Sequence, residues 1–207
     1  MEVALGDPQV NESLRQLGTK LVAVNQRHER LIDSLLTLAS SEQGVTKRIP
    51  VDLAELARHI TAESQAAAQN AGVDIRTLLQ PAPVAGDPVL LERLTQNLVD
   101  NAIRYNLPEH GWITVTTDVV DDHARLIVEN SGPSVPPYEA LSLFEPFRRL
   151  STTERLADSA NTSISRGAGL GLSIVQSVAH AHGGDVHALP RKDGGLTVRV
   201  RIPVVSE

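Results

Sequence analysis

Apolar positions along this chain follow two spacings, and each predicts a different element. Leu14, Leu17, Leu21, Val24, His28, Leu31, Leu35 and Leu38 are separated alternately by three and four residues, a heptad seam with one histidine set into it. Upstream, "GDPQ" offers Asp7 as a helix cap and Pro8 as a tolerated first helical residue, so "MEVAL" reads as the stump of an earlier helix turning back. The seam predicts one arm of a helical hairpin that packs in a bundle between two chains. "EQGVTKRIPVD" breaks the pattern with Gly44 and Pro50, which divides a helical segment, 1–44, from a second unit, 45–207.

In that second unit Asp52 and Glu55 form a capping-box-like start for a helix to about Ala71, stopped by Gly72. A strand is expected at 73–79, then a short "PVAGD" segment, then a helix opened by Asp87 and Pro88 and running to about Tyr105. "WITVTTD" and "ARLIVEN" alternate apolar and polar residues as strands joined by a turn at Asp121 and Asp122. "LGLSIVQSVAHAH" reads as a helix ended by Gly183 and Gly184, and a last hairpin runs from "DVHALP" to "LTVRVRIP" through "RKDGG". Strands and helices interleave without the regular alternation of a doubly wound fold. The prediction is an α+β two-layer sandwich, a mixed sheet with helices covering one face.

Composition narrows the function. A chain of 207 residues can bury one core plus a helical appendage. No apolar stretch approaches the roughly 18–20 residues that span a bilayer, and no signal peptide opens the sequence. With no cysteine, disulfides, thiolate metal sites and thiol catalysis are excluded. A formal charge of -6 and 2% aromatic residues argue against a nucleic-acid partner, which requires a basic face and stacking platforms.

Two stretches carry candidate chemistry. On the helix after Pro88, Leu91, Leu94, Leu98 and Ala102 lie along one side, while Asn97, Asn101, Arg104 and Tyr105 fall three and four apart on another. Two amide oxygens one turn apart are hard, uncharged ligands suited to a magnesium ion already bound to phosphates. Asparagines that merely decorate an exposed face are the plainer alternative. In "RGAGLGLSIV", Gly167, Gly169 and Gly171 open a helix whose free N–H groups and dipole suit a polyphosphate. It is not a P-loop, since no Gly-Lys-Ser/Thr follows. Between the two stretches, "LFEPFRRLSTTERLADSANTSISRGAG" has the length of a lid, from which Arg148, Arg149 and Arg166 either meet phosphate oxygens or simply keep a loop soluble.

In order, "NLVDNAIRYN", "ENSGPSVP", "FEPFRRL" and "GAGLGLSIV" resemble the N box, first glycine box, F box and second glycine box of sensor histidine kinase ATP-binding domains. That family shares its Bergerat fold with gyrases, MutL-type repair proteins and heat-shock chaperones. "VENSGP" is similar to the VanS-like actinobacterial glycopeptide-resistance kinases. The resemblance covers about residues 50–205 and makes 1–44 the end of the first helix and all of the second helix of a dimerisation hairpin. It implies ATP and Mg2+ as ligands, with Asn97 and Asn101 on the metal and Arg104 and Tyr105 beside the triphosphate and base. Gly167, Ala168, Gly169, Leu170, Gly171 and Leu172 would hold the phosphate side, with Arg148 and Arg149 closing from the lid and Phe144 and Phe147 anchoring it. Family members form homodimers, transfer the γ-phosphate to a histidine of the hairpin and pass it to a response regulator. The expected location is the cytoplasmic portion of a membrane-anchored sensor.

Relatives that hydrolyse ATP or phosphorylate serine carry a glutamate where this chain has Asn97. An amide cannot act as a general base, which favours the histidine kinase over those relatives. A degenerate nucleotide-binding or dimerisation module without kinase activity is the alternative, suggested by an altered first glycine box. His28, followed by Glu29, is the one acceptor candidate, but Asp33 stands where the family has proline, and His28 lies on the second helix rather than the first. It is read as a seam residue. The expectation is a chain cut just after its acceptor, which binds ATP without phosphorylating itself. His59, His110, His123, His180, His182 and His187 form no metal-ligand set, and surface or cap roles suffice for them.

The first glycine box departs from the family. Its pattern is Asp-x-Gly-x-Gly, the aspartate accepting from the adenine amino group; alignment on Gly132 puts Asn130 at that aspartate and Ser134 at the second glycine. Asparagine keeps an acceptor oxygen, and its NH₂ can be offered to a ring nitrogen. Loss of charge is expected to weaken adenine recognition by ~1 kcal/mol, so Asn130→Asp should hold or tighten ATP. Glu129, adjacent but expected on the opposite side of the strand, is a poor substitute.

Overall fold

The computed structural model describes residues 12–42, 45, 48–148 and 169–204. The "MEVAL" stump, its Asp7–Pro8 turn and residues 149–168 lie outside them. The heptad seam forms one continuous helix, α1 (Glu12–Glu42). Its apolar row divides in two. Leu14, Leu17, Leu21, Val24 and Leu35 stand open to solvent, with His28 exposed among them. Leu31 and Leu38 instead pack on the core of the following unit.

After α1 come β1 (Ile49–Asp52) and α2 (Leu53–Asn70). Asp52 starts α2 as expected, its carboxylate accepting from the Ala54 N–H at 2.9 Å; the same oxygen accepts from the Ala82 N–H at 2.8 Å. The capping box is not closed. Glu55 pairs with Arg58 one turn on, which leaves Asp52 to cap alone. "PVAGD" also proves more than a connector, because Pro83–Gly86 forms β3 and pairs antiparallel with β1. Four-residue strands are too short for alternation to reveal.

The main sheet has five strands in the order β2 (Val73–Leu79), β4 (Gly111–Val120), β5 (His123–Asn130), β7 (Leu196–Pro203) and β6 (Asp185–Pro190). β2 runs parallel to β4 and all other neighbours are antiparallel, which makes the sheet mixed. Asp121 and Asp122 both take positive φ, the conformation a tight β4–β5 hairpin demands. Buried and open positions alternate along β4 and β5, so one face meets the helices and the other carries polar groups. α2, α3 (Pro88–Arg104) and α5 (Gly171–Ala181) cover the apolar face, while α4 (Pro137–Ala140) is a single turn leading into a 3₁₀ turn at Leu141–Phe144.

α3 begins at Asp87, whose carboxylate accepts from the Val89 and Leu90 N–H groups, with Pro88 in the first turn. Leu91, Leu94 and Leu98 make the buried stripe the spacing predicts. α3 and α5 lie side by side and are fastened at one end by His182. This histidine is not a surface residue: it is 1% exposed, its Nδ1–H donates to the Val178 carbonyl at 2.7 Å, and its Nε2 accepts from the Asp87 N–H at 3.1 Å. Burial holds its pKa below the ordinary value of 6.5, against the Val178 bond that raises it. α1 meets α5 through a 2.6 Å hydrogen bond between the Ser41 and Ser177 hydroxyls.

Candidate functional site

A cavity opens where the second half of α3, the end of β5, the start of α5 and the β6–β7 hairpin meet. Leu98, Ala102, Val128, Val135, Leu143, Leu172, Leu196 and Val198 give it an apolar lining; Asn101, Tyr105, Asn130 and Arg148 bring polar groups to it. Gly169, Gly171, Pro133 and Gly195 expose backbone along its walls. α3 acts as the ruler of the site. Asn101 and Tyr105 are one turn apart, about 6 Å along the axis, and each marks one polar end.

At the Tyr105 end, Asn130 is 7% exposed. Its Nδ2 donates to the Ser131 carbonyl at 2.7 Å and to the Tyr105 carbonyl at 3.3 Å. Both partners can only accept, so the amide orientation is dictated. The structure thus corrects one expectation: the NH₂ is not on offer to a ring nitrogen, and Oδ1 is the group left to recognise a donor. Behind this end, the Ser131 hydroxyl donates to Asn106 Oδ1 at 2.5 Å and accepts from the Trp112 N–H at 2.9 Å. Asn106 in turn donates to the Ala102 and Trp112 carbonyls. Gly132 is a glycine by necessity, because a Cβ there would collide with the Tyr105 carbonyl.

At the other end, Asn97 Nδ2 donates to the Arg93 carbonyl at 2.7 Å, which turns its Oδ1 toward α5. A side chain at Gly171 would come within 3.0 to 3.3 Å of the amide heads of both Asn97 and Asn101. The glycine keeps that space open between two amides. No side-chain hydrogen bond caps the start of α5 at Leu170, which leaves its first-turn N–H groups and the positive end of its dipole uncapped beside Gly171. Two hard oxygens, a helix dipole and a missing Cβ suit a metal-bound polyphosphate. The residues present therefore fit both ATP and Mg2+.

Of the residues expected at the site, Asn101, Tyr105, Asn130, Arg148, Gly169, Gly171 and Leu172 line the cavity. Asn97 adjoins it through Gly171, and Gly132 supports it through Tyr105. Leu170 is a core residue at 2% exposure, and half-buried Arg104 is not part of the lining. Arg149, Gly167 and Ala168 lie outside the described residues, as does Arg166. Phe144 is buried, whereas the Phe147 ring is exposed and that residue's N–H donates to the Gly169 carbonyl at 2.9 Å. Sequence reasoning missed Gly195, which it read only as part of a hairpin turn. Glu129 behaves as expected and turns away, accepting from Arg191 and Thr197 on the open face of the sheet.

A mixed sheet under three helices, with an amide pair set against a glycine-opened helix at one end of an apolar cleft, defines the Bergerat sandwich of ATP-binding domains. Residues 86–206 match the family described as histidine kinase-, DNA gyrase B- and HSP90-like ATPases, and the chain belongs to that family. It is 49% identical over 204 residues to sensor protein CutS of Streptomyces coelicolor, an alignment covering 99% of this chain and 48% of CutS. Against sensor histidine kinase CusS of Escherichia coli it is 30% identical over 187 residues, 89% of this chain and 37% of CusS. Among solved structures, the mycobacterial sensor histidine kinase MprB superposes with a TM-score of 0.63 at 26% identity, covering 75% of this chain and 97% of that one. The chain thus spans about half the length of CutS and less of CusS. Among the described residues no helix is long and apolar enough to cross a membrane.

Proposed function

We propose that this chain is the ATP-binding catalytic region of a sensor histidine kinase, serving γ-phosphoryl transfer to a histidine other than His28 and onward transfer to a response regulator. In this reading residues 45–207 bind the nucleotide and residues 1–44 belong to a dimerisation hairpin of a membrane-anchored homodimer. The observation that carries it is the convergence of Asn97 and Asn101 on the space kept open by Gly171, at one end of a cavity whose other end presents Asn130. Asn130 Oδ1 accepts from the adenine amino group, and the apolar lining takes the base. Asn97 and Asn101 would hold Mg2+, which when bound neutralises phosphate charge. Arg148 lies beside the start of α5, where a guanidinium meets phosphate oxygens. Asn97 cannot remove a proton from water, so the site positions ATP for an acceptor that handles its own proton rather than hydrolysing it. Family membership and the intact cavity support this reading over a degenerate nucleotide-binding or dimerisation module without kinase activity.

Calorimetric titration with ATP and magnesium tests the reading. Asn101→Ala is expected to weaken magnesium-dependent binding by about tenfold or more, the cost of one lost ligand or charge-assisted contact. Unchanged affinity would show that the amide pair is not the metal-binding end.

A further inference from the structure

Arg191 lies outside the cavity, at the β6–β7 hairpin on the sheet face away from the helices, and it makes three contacts at once. Its guanidinium carbon sits 4.6 Å from the ring centroid of Trp112. Its Nη1 donates to Glu129 Oε1 at 3.1 Å, the same oxygen that accepts from the Thr197 hydroxyl at 2.9 Å. Its backbone closes the hairpin tip: its N–H donates to the Gly195 carbonyl, and its carbonyl accepts from the Gly194 N–H, both at 3.2 Å.

The tip held in this way is pressed against the base end of the cavity. Gly195 N–H donates to the Pro133 carbonyl at 3.0 Å. A Cβ on Gly194 would collide with the Gly132 carbonyl, and one on Gly195 with the Asn130 carbonyl. Both glycines take positive φ, so the tip has one shape available and that shape fits directly against the Asn130–Gly132 loop. Glu129, which Arg191 holds, is the cross-strand partner of Thr197, and their chain neighbours Asn130 and Leu196 are the next pair, which lines the cavity. What the outer face holds in place, the inner face presents to the ligand.

We infer that Arg191 is a positioning residue for nucleotide binding: by clamping Trp112, Glu129 and the hairpin tip, it holds Asn130 and its loop in the shape that receives the base. This rests on the ATP reading above. The chain provides its own reporter, since Trp112 is its single tryptophan and its backbone exchanges hydrogen bonds with Ser131, the residue after Asn130.

Magnesium and ATP are titrated against the unaltered chain, Arg191→Ala, Arg191→Lys, Glu129→Gln and, as a control, Arg76→Ala, following both heat and Trp112 emission. Arg76 makes an ion pair with Asp74 at the far strand of the same sheet. Arg191→Ala is expected to weaken binding about 3- to 10-fold, the combined worth of a cation–π contact and a partly exposed ion pair, and to blunt the emission change on nucleotide addition. Glu129→Gln, which removes only the ion pair, should act in the same direction and less. Arg191→Lys should recover part of the loss, because an ammonium keeps the charge but cannot lie flat on the indole. Arg76→Ala should bind as the unaltered chain does. If the unaltered chain binds ATP and Arg191→Ala binds it equally well, or if Arg76→Ala loses as much, the inference fails while the ATP reading stands. An unaltered chain that does not bind ATP overturns the ATP reading itself.

Discussion

α1 and α3 carry the same kind of apolar row, and the molecule treats them in opposite ways. Leu91 and Leu94 of α3 are 0% exposed, whereas Leu14 and Leu17 of α1 are 60% and 53% exposed. α3 is enclosed by α2, α5 and the sheet. α1 reaches the rest of the described chain at its last turns, where Leu38 packs on the core and Ser41 meets Ser177. Periodicity therefore states which face of a helix needs covering and does not say what covers it. In the reading proposed above, a second copy supplies the cover for α1.

The largest expected effect lies on the enclosed side. Leu94→Ala should cost about 2–5 kcal/mol of unfolding free energy by removing a fully buried side chain, read from a denaturant midpoint. A loss below 1 kcal/mol would erase the contrast between the two helices.

His182 fastens α3 to α5, and its removal should come next. His182→Ala leaves the Asp87 N–H without its acceptor and is expected to cost about 1–3 kcal/mol. The unaltered protein should also show the pH signature of this residue. Because burial lowers its pKa in the folded state, the unfolded chain takes up the proton first; the stability it contributes is complete above pH 6.5 and is lost as pH falls below that value and through the folded pKa. A stability profile flat between pH 7 and pH 5 in the unaltered chain, or unchanged by His182→Gln, would remove this role.

Asn130→Asp moves the question to the cavity. A carboxylate at 130 would set an oxygen against the Ser131 and Tyr105 carbonyls in place of the NH₂ that now serves them. Affinity for ATP should fall about tenfold, from an unpaired buried carbonyl and like partial charges, where the sequence alone suggested equal or tighter binding. Tighter binding by calorimetry would show that the two carbonyls can turn away.

The smallest effect on fold stability belongs to the open seam. Leu17→Ala should change the unfolding free energy of a dilute, unassociated chain by no more than about 0.5 kcal/mol, yet weaken self-association followed by sedimentation. A stability loss comparable to that of Leu94→Ala would mean that α1 is covered within its own chain.

Much of the fold was legible because it is written in local chemistry. Asp52, Asp87 and Pro88 start helices, Gly72 and Gly183 end them, and alternation marks β4 and β5. The β1–β3 pair was not legible, since each strand is four residues long and owes its pairing to a partner more than thirty positions away. At the site, Asn101 and Gly171 could be named from their boxes, and Gly195 could not, because nothing near it in the chain distinguishes a hairpin turn from a cavity wall. His182 carried no usable signal either. A histidine before two glycines looks like a helix end, and its burial depends on where α3 begins.

By itself the sequence determined the longer elements, the Asp52 and Asp87 caps, the order of the boxes and the amide pair on one face of α3, because all of these follow from spacing along one segment of backbone. Only the tertiary structure decided which residues of the α1 seam are covered, that the NH₂ of Asn130 is already taken, and that Arg191 reaches Glu129 across the strands. The last two outcomes join residues 25 and 62 positions apart, and hydrogen bonds and close contacts act only over a few ångströms, so chain folding had to bring the partners together before either could matter.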